Sequence, residues 1–237
     1  MQLLVTRPEP DGIKLVGLLK SRGYDAIAAP LTSFVALGLE AEALDGVTGL
    51  IATSRNAFRA LVGTEALEAA RGLTVFTVGA ATAEEARRMG FVRIVKGPGT
   101  AADLVPLIAS LVDPAEDLLL HIAGETVAVD VSAELAAFGV RVEARTVYRM
   151  EAARALPAPG GRAAGGGAIV AVMLMSPRAA SIWTRLAVHH DLSEAVRRML
   201  HLCISEAVVR RLAPLRPQEV SVARRPTLEE MLALVDR

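Results

Sequence analysis

The sequence predicts an α/β protein made of two parallel, doubly wound sheets, one lobe inserted in the other, with two β connections joining them as a two-stranded hinge. Three observations predict it. Short apolar runs alternate with helical patterns along the chain, the grammar of strand–helix–strand units with right-handed crossovers. That grammar occurs twice: Leu119-Leu120, Glu125, Leu135 and Gly139 repeat Leu3-Leu4, Glu9, Leu19 and Gly23 at one constant offset, without a gap. The repeats are also out of tandem order, because the unit at Leu3 precedes the middle block while its equivalent at Leu119 ends it. Insertion is the simplest topology with that order. One lobe takes residues 1–35 plus 155–237 and the other takes 38–145; residues 31–37 and 145–151 are the extended crossings.

The elements follow in order. Leu3-Leu4-Val5 is a strand that ends at Thr6-Arg7-Pro8. A helix over residues 11–21 comes next, closed by Gly23. Residues 24–28 form a second strand, broken by Pro30. The second repeat unit is Leu50-Ile51-Ala52, the polar turn Thr53-Ser54-Arg55-Asn56 and a helix. Its echo is Val172-Met173-Leu174-Met175, the turn Ser176-Pro177-Arg178 and a helix. The third pairs residues 74–78 and Gly79-Ala80-Ala81-Thr82 with residues 201–204 and Ser205-Glu206. The fourth pairs residues 92–95 with 220–222, each followed by a capping box, Thr100 to Asp103 and Thr227 to Glu230, whose first role is structural. Residues 152–167, rich in Pro, Gly and Ala, form a loop.

Composition narrows the function. A chain of 237 residues, 52% hydrophobic and 22% charged, buries a core and is not disordered. The formal net charge is zero, so no whole-molecule field draws it to nucleic acid or an anionic membrane, and an anion site must be built locally. Aromatics at 3% argue against base stacking. The single cysteine, Cys203, excludes an intramolecular disulfide and a cysteine zinc cluster, and fits a reducing compartment. The stretch MQLLVTRPEP lacks the regions of a signal peptide, and no apolar run approaches the roughly 18 residues of a membrane span. A cytoplasmic protein is expected.

Familiar chemical motifs are missing. The histidines, His121, His189, His190 and His201, show no metal-ligand spacing, and no metal is expected. Cys203 sits in a strand-like run and reads as a small buried hydrophobe. Gly165-Gly166-Gly167 precedes a strand instead of following one, so it is no phosphate loop, and there is no G-x-S-x-G elbow. What remains is a set of turns after strands, rich in hydroxyls, amides and arginines. In parallel sheets ligands sit beyond the carboxyl ends of the strands. Helix-start amides there attract anions, each worth about 0.3–1 kcal/mol when exposed. If the lobes face each other, these turns line one cleft suited to a many-armed carboxylate. The candidates are Arg7, Thr53, Ser54, Arg55, Asn56, Gly79, Thr82, Gly124, Ser176, Pro177, Arg178 and Ser205. Plain N-capping and surface charge are the competing reading of these residues. Tyr148, one of two tyrosines, falls in the second crossing and is a candidate proton donor, with interfacial packing as its other reading.

VTRP near the start, TSRNAF after its strand, TVGAATA, GFVRIVKGPGTAADL, the tyrosine of VYRM, and MSPRAA occur in an order and spacing that resembles the uroporphyrinogen-III synthase family from Leu3 to Val235. The resemblance implies two flavodoxin-like lobes joined by a two-stranded ladder, and a cofactor-independent, cyclising hydro-lyase of tetrapyrrole (haem, chlorophyll, cobalamin) biosynthesis. Its substrate is linear hydroxymethylbilane, with eight carboxylates. Ring A loses its hydroxyl to give an azafulvene, and the substituted carbon of ring D attacks to give a spiro intermediate. That intermediate fragments and recloses with ring D inverted. The resemblance assigns Tyr148 to departure of the hydroxyl and places Thr53, Ser54, Gly79 and Ser176 along the cleft. Two turns depart from the family pattern: Ala123-Gly124 stands where an arginine and glycine are common, and Ser205-Glu206-Ala207-Val208 where glycine and threonines are. Glu206 is therefore expected to point away or cap its helix. A monomer is expected, with the substrate handed over by the preceding pathway enzyme. A noncatalytic two-lobed binder or sensor of a small polycarboxylate is the alternative.

Overall fold

The computed structural model describes residues 2–156 and 169–236. The chain divides into two compact units, unit 1 of Met1–Ser33 with Glu151–Arg237 and unit 2 of Phe34–Met150. It begins with β1 (Gln2–Val5), α1 (Asp11–Ser21) and β2 (Asp25–Ala28), and leaves unit 1 on β3 (Thr32–Ala36). Unit 2 continues with β4 (Gly49–Ala52), α2 (Arg55–Ala60), α3 (Glu65–Ala70), β5 (Thr74–Thr77), α4 (Ala80–Arg88) and β6 (Ile94–Lys96). Then come α5 (Ala101–Ala109), β7 (Leu118–Gly124), α6 (Val131–Ala136) and the long β8 (Arg141–Ala152), which carries the chain back. Unit 1 is completed by β9 (Ile169–Leu174), α7 (Pro177–His189), α8 (Ser193–Arg197), β10 (Leu200–Cys203), α9 (Glu206–Arg211), β11 (Glu219–Val222) and α10 (Leu228–Val235).

The sheet of unit 1 has the order β2-β1-β9-β10-β11, and every adjacent pair is parallel. The sheet of unit 2 has the order β3-β8-β7-β4-β5-β6, with the last five strands parallel. Counting β7 and β8 as first and second, those five repeat the unit 1 order of second, first, third, fourth, fifth, which is the flavodoxin-like order. Unit 2 is thus a circular permutation of unit 1, and this is why the sequence repeats are not in tandem. The sheet of unit 1 has five strands. The second sheet gains a sixth because β3 pairs beside β8, with the amide of Leu37 donating to the carbonyl of Val147 at 2.8 Å.

Both faces of each sheet are covered, so the central strands are largely apolar on both faces. In unit 1, Leu4, Val172, Leu174 and Cys203 pack with Trp183 on one face, while Leu3, Val5, Met173 and Leu202 pack with Leu19 and Met231 on the other. Unit 2 alternates in the same way, with Leu50, Val75 and Leu120 against Phe58 and with Ile51, Phe76 and Leu119 against Leu104.

Local boundaries differ from the expectations in three places. Val92 is 82% exposed, and β6 starts at Ile94. The predicted loop over 152–167 begins after Ala152, which is still in β8, and its residues 157–167, with Gly165-Gly166-Gly167, lie outside the described residues. The second capping box is only half formed. Thr227 Oγ1 accepts from the Glu230 amide at 3.3 Å, but the Glu230 carboxylate takes Arg225 at 3.1 Å, and the Thr227 amide bonds the carbonyl of Arg225.

Candidate functional site

Each sheet has one pair of neighbouring strands whose onward connections run to opposite sides, and a crevice opens there beyond the carboxyl ends. In unit 1 that pair is β1 and β9, and in unit 2 it is β7 and β4. A cavity lies at each.

The unit 1 cavity, of about 290 Å³, is lined by Thr6, Arg7, Thr32, Met175 and Ser176 among others. Thr6 turns inward, its hydroxyl donating to the Met173 carbonyl at 2.6 Å. Ser176 caps α7, its Oγ accepting from the Ala179 amide at 3.1 Å while Pro177 opens the helix. An accepting hydroxyl still has its own proton to give to an anion. Arg7 reaches the same cavity, with its guanidinium 3.1 Å from the Asp11 carboxylate.

The unit 2 cavity, of about 320 Å³, is lined by Thr53, Ser54, Gly99, Thr126, Gly124 and Tyr148 among others. Ser54 caps α2, its Oγ accepting from the Asn56 amide at 3.2 Å. Thr53 Oγ1 lies 3.5 Å from Nε2 of His121, a buried residue of β7. Burial holds the His121 imidazole below its usual pKa, opposed in part by the charge of Asp130. The imidazole behind Thr53 is therefore neutral at physiological pH.

Tyr148 reaches this cavity through an irregularity in β8. Ala123 on β7 pairs with Thr146, but Gly124 pairs with Tyr148, so Val147 is an extra residue. Such a bulge re-aims the side chain that follows it. Val147 is fully buried in the core of unit 2. Tyr148 is half-buried, and its ring stands 5.8 Å from that of Phe34, tilted by 32°. Among the described residues, no group accepts from its hydroxyl.

Thr53, Ser54, Gly124 and Tyr148 are thus brought together in unit 2, and Arg7 and Ser176 in unit 1. The other candidates lie outside both linings. Asn56 is engaged within the protein: its Oδ1 accepts from Arg59 Nη1 at 3.1 Å and its Nδ2 reaches Met150 Sδ at 3.6 Å. Thr82, in the first turn of α4, is buried and lies outside the cavity lining. Gly79 caps α4, and a Cβ on it would stand 3.3 Å from the Cα of Gly99, which itself lines the cavity. Arg55 and Arg178 sit in the first turns of α2 and α7, Pro177 opens α7, and Ser205 precedes α9 without a side-chain cap bond. Glu206 is exposed.

Sequence reasoning missed Thr32, Gly99, Thr126 and His121. Thr126 was findable, since it lies in the turn directly after β7. His121 carried no signal, because a histidine inside an apolar run does not reveal what it lies beside. Among the described residues, no cluster of His, Cys, Asp and Glu is arranged to hold a metal ion, and no helix is long and apolar enough to cross a membrane.

Fold and sites together define a class: a two-unit α/β protein whose sheet switch points present hydroxyls and helix-start amides, groups suited to a small polyanion. The family model for Uroporphyrinogen-III synthase HemD matches residues 13–233, and the chain belongs to the uroporphyrinogen-III synthase family. This family comprises cyclising lyases of tetrapyrrole synthesis. No curated protein sequence matches the chain. Among solved structures, uroporphyrinogen-III synthetase from Helicobacter pylori 26695 superposes with a TM-score of 0.65 at 16% identity, covering 99% of this chain and 97% of that one. A mutant uroporphyrinogen III synthase from Thermus thermophilus superposes at 0.53 with 18% identity, covering 100% and 98%. These structures share the fold.

Proposed function

We propose that this member of the family closes linear hydroxymethylbilane into the ring-D-inverted cyclic product, with Tyr148 serving the departure of the ring A hydroxyl. The observation that carries this reading is the family match, which runs through both units and takes in the whole unit 2 site together with Thr32 and Ser176 of the unit 1 site. It favours a synthase over a noncatalytic carrier of polycarboxylates.

The roles divide by chemistry. Ser54 and Ser176 accept from helix-start amides and retain a proton to donate to substrate carboxylates. Arg7 supplies a positive charge at the unit 1 site. Tyr148 donates its phenolic proton as the carbon–oxygen bond breaks, so the hydroxyl leaves as water and ring A is left as the protonated azafulvene; the proton released when ring D recloses at its free position returns to the phenolate. Attack by the substituted carbon of ring D gives the spiro intermediate; fragmentation and reclosure at the free position then invert the ring. No step requires a strong nucleophile from the protein, so positioning is the main task. The family resemblance implies a substrate that cyclises unaided to the wrong isomer, and such a substrate is best captured directly, which supports hand-over from the preceding enzyme. We infer a monomer, because each unit has its own core and its own site, and a reducing, cytoplasmic setting, supported by the single buried thiol of Cys203.

The test is to incubate the protein with enzymatically made hydroxymethylbilane, oxidise the products and separate the isomers. Isomer III is expected. Isomer I alone would overturn the reading.

A further inference from the structure

We infer that Gly124 is the positioning residue for Tyr148: the missing side chain at the end of β7 is the seat in which the phenol lies. The inference rests on the role proposed above for Tyr148 and concerns what aims that residue.

Three observations carry it. A Cβ built on Gly124 would stand 2.6 Å from Cζ, 2.8 Å from the hydroxyl and 2.9 Å from Cε2 of Tyr148, so no other residue fits here unless the phenol moves. Gly124 has no positive φ, so backbone conformation does not explain the glycine; the close approach does. The second observation is the bulge at Val147, which pairs Gly124 with Tyr148 in the ladder and is locked by the Glu125 amide donating to the Tyr148 carbonyl at 2.9 Å. Bulge and glycine act together, since one turns the phenol towards β7 and the other leaves room for it. The third is that the Phe34 ring packs on Tyr148, restricting the directions in which a displaced phenol could retreat.

Seated in this way, the hydroxyl enters the cavity that also holds Thr53 and Ser54. It sits beyond the carboxyl end of β7, at the switch point. Proton transfer is sensitive to position, and displacement by about 1 Å can cost two orders of magnitude in rate.

The experiment uses Gly124→Ala, Tyr148→Phe and the double variant in the full chain. Gly124→Ala should lower kcat about tenfold or more with KM little changed, and should cost nothing further in the Tyr148→Phe background. Unchanged kcat, or an equal loss in both backgrounds, would overturn the inference. A second readout does not depend on activity. The chain has two tyrosines, so labelled tyrosine gives two ring signals by NMR. Gly124→Ala should shift the Tyr148 signal and leave that of Tyr24 in place; an unmoved Tyr148 signal overturns the seat even if the protein is a synthase. A shifted signal in a protein making only isomer I would keep the seat and remove the proposed function. Should Gly124→Ala fail to fold, adding Tyr148→Ala should restore folding, and failure to do so counts against the inference.

Discussion

Nε1 of Trp183 donates a hydrogen bond to Nε2 of His201 across 3.3 Å, with both rings fully buried in unit 1. Nε2 must therefore carry a lone pair and Nδ1 the proton, which it gives to the Met199 carbonyl at 2.9 Å. The neutral imidazole is fully satisfied, whereas the imidazolium would turn a second N–H against the indole. Burial lowers the His201 pKa, and bonds to the backbone of Met199 and Glu219 oppose that shift without cancelling it.

Stability should consequently fall on mild acidification. Below the unfolded pKa of about 6.5 the unfolded chain binds a proton that the native imidazole refuses, so this contribution is full above that pH. It is lost as pH falls towards the depressed native value. His121, also lowered by burial, adds with the same sign. Melting temperature should be level above about pH 7 and decline below about pH 6, with a shallower decline in His201→Gln. Equal slopes for the two proteins would remove His201 from the effect.

Cys203 should be inert in the native protein. Its thiol is fully buried on β10, and burial, with a smaller contribution from the Glu206 charge, pushes its pKa up to about 12. An aromatic disulfide reagent near neutral pH should react only as fast as the protein opens, and rapidly in denaturant. Fast labelling of the folded chain would contradict this environment.

Ser54→Ala and Ser176→Ala should each cost about 1 kcal/mol of stability through the lost cap, and the glycine variants only a few tenths. The comparison separates structure from function. If the hydroxyls also hold substrate, the glycine variants will keep near wild-type denaturation midpoints while KM rises. Normal KM in a stable Ser54→Gly would leave that hydroxyl as a cap alone.

Arg7→Met should raise KM several-fold and leave kcat nearly unchanged, the signature of binding energy that is equal in ground and transition states. Steady-state kinetics at low and high salt check it, since a charge contact to a carboxylate weakens with screening. A loss confined to kcat would place Arg7 in the chemistry instead.

Some of this was legible before any coordinates. The strand–turn–helix units were readable because apolar runs buried on both faces are continuous, and because Ser54, Ser176, Thr100 and Thr227 announce helix starts chemically. The inserted order was readable because the two copies still share residues at one offset. The sites were only half legible. Thr53, Ser54 and Ser176 follow from position after a strand. Asn56 and Thr82 have the same positional claim, yet Thr82 is buried in α4 and Asn56 is taken by Arg59 and Met150.

What the sequence by itself determined is the list of elements, their duplication and several of the turns that line the cavities at the strand ends, all set by short-range pattern. The tertiary structure alone decided that the expected pair of β3 and β8 is continuous with the second sheet, that Val147 bulges, that Gly124 makes room for Tyr148, and that His121 lies behind Thr53. Each of these depends on the register between segments far apart in the chain. Register is settled by which side chains fill a shared space, a sum over partners that no local pattern contains.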